Sequence, residues 1–206
     1  MSEEHYEAAL SLIDEAHAQD PNIAIVNGKD VPYELHYAQR CTHYLRLRSP
    51  RASPVLRIAV RAQHFRRWEI PRSSYPATKT GYLQWRTFLK RRQGDLVQAI
   101  CVGCNVPPEQ CEAIAALIRK EDLKANAETQ ALEDVACLVF LDDRFAAFDG
   151  EHDEDKIVDI LRKTWGKMSG EGRMLALGLD LSNRARAMMA KALQADVGER
   201  GDEKLD

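Results

Sequence analysis

The chain has 206 residues, 45% of them hydrophobic and 30% charged, and a formal net charge of −3. That length suits one domain with a sizeable core, and the composition is that of a globular protein rather than a disordered or fibrous one. The start MSEEHYEAALSLIDEA is acidic and lacks the apolar stretch of a secretory signal, and no run approaches the ~18 apolar residues of a membrane span, so a cytoplasmic protein with no membrane partner is expected.

Apolar spacing is helical almost throughout. Tyr6, Ala9, Leu10 and Ile13 make a first amphipathic helix. DPNIAIVNGKD reads as a turn-rich break, after which Asp30 caps a helix with Pro32 in its first turn and Leu35, Ala38, Thr42 and Leu45 on one face. SPRASP ends that helix. Ser53 then caps the next, with Pro54 at its first position. Leu56, Val60, His64 and Trp68 recur every four residues, which predicts one helix continuing through Trp68, with His64 on its apolar stripe. Pro71 and Pro76 bracket an irregular loop. A long helix from Gly81 carries Tyr82, Trp85, Leu89 and Leu96, with Gly94 a weak point. Pro107 and Pro108 open a helix with Cys111, Ile114, Ala115 and Ile118 inward. The run from Val135 to Leu141 is apolar on nearly every side and predicts a fully surrounded helix. Ile157, Ile160 and Leu161 mark another, and Ala185, Met188, Met189, Ala192 and Leu193 the last. With no alternating strand pattern and no repeat, the expected fold is all-α: a single-domain orthogonal helical bundle over residues 1–197, followed by a polar, frayed tail over 198–206.

Cys41, Cys101, Cys104, Cys111 and Cys137 are an odd number in helical surroundings, which favours reduced thiols. No fourth ligand follows Cys101, Cys104 and Cys111 at zinc spacing, so buried structural thiols are the expectation there.

The charge is unevenly placed. Between Arg57 and Arg92 lie ten Lys and Arg against one acid, Glu69, so this segment carries +9 and the remainder −12. Such a split points to a local anion site or a basic face. The stretch AQHFRRWEIPRSSYP, residues 62–76, concentrates it. Arg66, Arg67, Arg72 and Arg86 supply guanidinium forks that suit phosphate or carboxylate. Trp68 and Tyr75 supply rings for stacking on a planar group, with His64 as an acid/base beside them. RKEDLK brings Arg119 and Lys120 to a helix end, where they either deliver cations to an anion or compensate the helix dipole. Glu133 and Asp134 head the most apolar helix, and Asp134 is the preferred inward acid, as metal ligand, catalytic partner or partner of a buried Arg. Phosphate loops of the GxxxxGK[ST] type, GxGxxG, HExxH and GxSxG are all absent.

AQHFRRWEIPRSSYP, with GYLQWRTFLK, LIRKEDLK, LEDVACLVFL and DILRKTWGKMS, resembles an uncharacterised family, the domain of unknown function 4202, over roughly residues 5–195. A weaker likeness is to HD-domain phosphohydrolases, helical bundles that hold a divalent metal and cleave phosphate esters or anhydrides. It implies His43, His64 and Asp134 as metal ligands, with Phe65 standing where the paired motif has an Asp. An HD-like scaffold with Arg side chains in place of the metal fits the residues equally well. Three functions follow as expectations. One is the binding of a small phosphorylated, nucleotide-like ligand at a His/Arg/Trp site, with or without hydrolysis. The second is a structural or regulatory protein held by an Arg–acid network. The third is an RNA-binding module with an open basic stripe.

Overall fold

A computed structural model describes residues 2–123, 125–145 and 153–201. It is all-α but for one small hairpin. By contact the chain forms two compact units, residues 1–132 and 133–206.

In the first unit, α1 (Glu3–His17) starts at Ser2, whose hydroxyl accepts from the His5 amide, and buries Tyr6, Ala9, Ile13 and His17. The stretch expected as a plain break forms strands β1 (Ile23–Val26) and β2 (Lys29–Pro32), antiparallel with Val26 opposite Lys29. Asn27 and Gly28 join them, with φ of 51° and 74°. Two successive left-handed residues are what a type I′ turn requires, and Asn-Gly supplies them at little cost. Asp30 therefore lies in β2 and does not cap a helix; α2 (Tyr33–Arg48) begins after Pro32.

Helix α3 (Pro54–Arg61) is capped by Ser53, which accepts from the Leu56 amide, with Pro54 at its first position. It is shorter than its periodicity predicts. After two short 3₁₀ turns, Arg67–Glu69 and Arg72–Ser74, Thr78 caps α4 (Lys79–Gly103). Helix α5 (Pro108–Arg119) ends on Lys120 in the left-handed conformation. α3 packs against α1, α2 and α5, and α4 packs along α5. Gly94 is no weak point: a Cβ there would lie 3.2 Å from the Ala115 carbonyl oxygen, so its absence lets α4 and α5 approach. The five cysteines are free and buried, and burial pushes the Cys101 thiol up to about 12.

Helix α6 (Ala127–Val139) begins in the first unit, ends in the second, and runs into a π turn at Phe140–Arg144. Leu132, Val135, Leu138 and Val139 are fully buried, as the apolar run predicts. The second unit continues with α7 (Glu154–Lys167), α8 (Gly170–Leu177) and α9 (Asn183–Gly201), and α7 packs on α9. The last helix extends into the stretch expected as a frayed tail, and residues 202–206 of that tail lie outside the described residues. Among the described residues no helix is long and apolar enough to cross a membrane.

Candidate anion site

The site is built where α3 stops. His64 and Arg66 both take left-handed backbone, φ 64° and 50°. Each costs about 1–2 kcal/mol in a residue with a side chain, so something must hold them. Three buried groups do. The His17 Nε2–H donates to the Arg61 carbonyl, 3.0 Å away, and occupies the end of α3. Phe65, between the two strained residues, is buried with its ring edge-on to His17. Glu34, 3% exposed, accepts from the backbone amides of Arg67 at 2.6 Å and Trp68 at 3.1 Å, and faces His17 Nδ1 through its other oxygen. Asp20 in turn accepts from the Glu34 amide at 2.9 Å. The expected helix through His64 and Trp68 is thus replaced by a turn pinned from α1 and α2.

That turn forms one wall of a small cleft open to solvent. Gln63, His64 and Arg67 come from the turn. Arg86, Leu89, Lys90 and Gln93 come from one face of α4, and Ile118 and Lys120 from the end of α5. The cations are half-buried at the rim; Gln63, Leu89, Gln93 and Ile118 are buried at the floor. Among the described residues no carboxylate lines the cleft.

The His64 ring stacks on Tyr37, centroids 4.2 Å apart and planes 15° from parallel. Arg67 Nη1 donates to His64 Nε2 at 3.0 Å. A guanidinium has no acceptor, so Nε2 holds the lone pair and Nδ1 the proton. The Arg67 guanidinium also lies 4.7 Å from the Trp85 ring centroid, and Trp85 is itself held by its N–H donating to the Ile70 carbonyl at 2.9 Å. The fork is therefore fixed between an imidazole and an indole. Burial lowers the Arg67 pKa from its ordinary value, and the like charge of Arg86 lowers it further. Among the described residues neither Arg67 nor Arg86 is paired with a carboxylate.

Of the residues expected from sequence, His64, Arg67, Arg86 and Lys120 meet in this cleft. Arg66 pairs with Glu69, which also holds Arg92. Arg72 donates to the carbonyls of Tyr75 at 2.8 Å and Pro76 at 2.7 Å and so ties the loop before α4. Tyr75 packs beside Phe88, and neither Tyr75 nor Trp68 lines the cleft. Arg119 pairs with Glu112, Glu121 and Asp95. His43 is exposed on α2, edge-on to Tyr44. Asp134 lies in the second unit, buried, accepting from the Ser169 amide at 2.8 Å and from the Ser169 hydroxyl at the start of α8. Among the described residues no three or more His, Cys, Asp or Glu side chains are placed to hold a metal ion; of the expected set, His43 and His64 belong to the first unit and Asp134 to the second. Phe65 is a core residue.

Sequence reading missed Lys90, Gln63 and Gln93 in the cleft. The first and last had a signal: Arg86, Lys90 and Gln93 fall at helical spacing on one face. His17 and Glu34, which shape the turn, had none, because their partners are distant in sequence.

The fold and the site define an all-α protein with a left-handed histidine turn feeding a cation-lined cleft. The model of one family, the domain of unknown function DUF4202, matches residues 7–189, and the chain belongs to that family. No curated protein and no solved structure matches it.

Proposed function

We propose that this protein binds a small phosphorylated anion in the cleft, with Arg67 and Arg86 gripping the phosphoryl oxygens and Lys90 and Lys120 completing the positive rim. One observation carries the reading: two guanidinium groups face one cleft without a carboxylate counterion, and burial and mutual repulsion both disfavour the charge on Arg67. An anion between them relieves both penalties, each charge-assisted bond contributing about 1.5–3 kcal/mol. The aromatic rings support the site from behind. Tyr37 braces His64 and Trp85 braces Arg67, and the side chains first expected to stack, Trp68 and Tyr75, line no part of the cleft. A small phosphate ester therefore suits the cleft better than a nucleotide, since neither of the large rings expected to stack on a base, Trp68 and Tyr75, is in its lining.

A thermal-shift titration with inorganic phosphate tests this. A ligand that binds only the folded state raises the melting temperature by mass action. Phosphate should give a saturable rise in wild type. Arg86→Gln should melt no lower than the wild type without phosphate, since it removes a like charge beside Arg67, and should lack the rise. Equal rises in both proteins, or none in wild type, would show the reading to be wrong.

A further inference from the structure

The floor of the cleft holds an unspent donor. Gln93 is 6% exposed, lines the cleft, and has no hydrogen-bond partner for its buried Nε2. Buried amide nitrogens are seldom left so, because the lost hydration is not repaid. Across the same floor, Gln63, 5% exposed, spends its own Nε2 on the Leu132 carbonyl at 3.4 Å. That leaves the Gln63 carboxamide oxygen as an acceptor. With the Gln93 carboxamide turned toward the cleft, the floor would offer one donor and one acceptor, flanked by the aliphatic Leu89 and Ile118.

Given the anion reading above, on which this rests, we infer that the ligand is a phosphate monoester of a polyol or sugar whose hydroxyl enters the floor, accepting from Gln93 and donating to Gln63. A hydroxyl is the small neutral group that both donates and accepts. A carboxylate would meet the Gln63 oxygen unfavourably, and an alkyl group would leave both carboxamides unsatisfied. The helix sets the spacing. Lys90 at the rim and Gln93 at the floor are three residues apart, about 4.5 Å along the α4 axis, which suits a phosphoryl group and a hydroxyl separated by a short carbon chain. The last torsion of a glutamine is broad, so presenting the N–H to the cleft needs only a turn of the carboxamide.

Isothermal titration calorimetry decides it, with inorganic phosphate, methyl phosphate, glycerol 3-phosphate and ribose 5-phosphate as probes against wild type and Gln93→Met. Wild type should bind at least one of the two hydroxylated esters about tenfold tighter than methyl phosphate, the worth of one satisfied hydrogen bond. Gln93→Met, similar in volume but without the N–H, should lose the preference for the hydroxylated ester over methyl phosphate. Equal affinity of wild type for methyl phosphate and both hydroxylated esters overturns the inference whether or not the variant folds. So does a preference that survives in Gln93→Met. Failure of wild type to bind inorganic phosphate at all overturns the anion site itself, and the hydroxyl assignment with it.

Discussion

His64 sits in left-handed backbone because residues far from it in sequence hold it there. The His17 ring takes the last carbonyl of α3, and the Glu34 carboxylate takes the next two amides of the turn. Removing that carboxylate with Glu34→Ala takes the partner from the Trp68 N–H, leaves the Arg67 N–H only its bond to the His64 carbonyl, and leaves His17 facing an empty site. A loss of about 3 kcal/mol is expected, read as a lower urea midpoint, together with weakened phosphate binding because the turn carrying Arg67 is no longer pinned. A midpoint within error of wild type would contradict the bracing role. The cysteines give a second residue-scale prediction. Burial holds the Cys101 thiol at about 12, and also raises Cys104 and Cys111. A thiol with a raised pKa is protonated and unreactive below that pKa, and gains thiolate only as pH climbs toward it. Iodoacetamide at mildly alkaline pH should therefore leave Cys101 unmodified in the native protein and label it in urea, by mass spectrometry. Rapid native labelling would show the thiol to be accessible. Arg67, Arg86 and Lys120 were legible as candidates from residue type alone. What could not be read was which of the neighbouring cations already had partners, since Arg66–Glu69–Arg92 and Arg119–Glu112 are settled only by the fold.

Helices whose ends carry their own signals were read well. Ser53-Pro54 opens α3 and Pro107-Pro108 opens α5 as their chemistry dictates. The end of α3 was misread because no glycine or proline marks it. The apolar stripe Leu56, Val60 continues in register to His64 and Trp68, and what stops the helix is a hydrogen bond from α1. The hairpin was misread for another reason. Asn27-Gly28 is a strong turn signal, but each strand has four residues, and Ile23 and Ile25 face outward at 54% and 79% exposure, so the alternation marks no core face. At this scale α8 offers a test of Asp134. A Cβ at Gly172 would lie 2.6 Å from the Asp134 carboxylate, which already anchors Ser169. Gly172→Ala should force that carboxylate off the start of α8 and cost about 1–3 kcal/mol, seen as a lower melting temperature. If the melting temperature holds, Asp134 has room to move and its anchoring role is dispensable.

Across the molecule, the +9 segment was the most informative feature of the sequence, and the fold sorts its charges into spent and unspent. Arg61 is bound to Asp14, Arg57 lies over the Tyr6 ring, Arg66 and Arg92 share Glu69, and Arg72 is used on loop carbonyls. These contacts lie within the first unit and engage those side chains. Arg67 and Arg86 are left facing a cleft with no acid in its walls. The central claim is that an anion belongs between them. The most direct measurement is an NMR titration of the arginine Nε–Hε resonances with inorganic phosphate at constant ionic strength. Arg67 and Arg86 should shift together and saturate at one common midpoint, while Arg61 and Arg72, already engaged, stay in place. Uniform drift of every arginine, or no saturable change at Arg67 and Arg86, would contradict it.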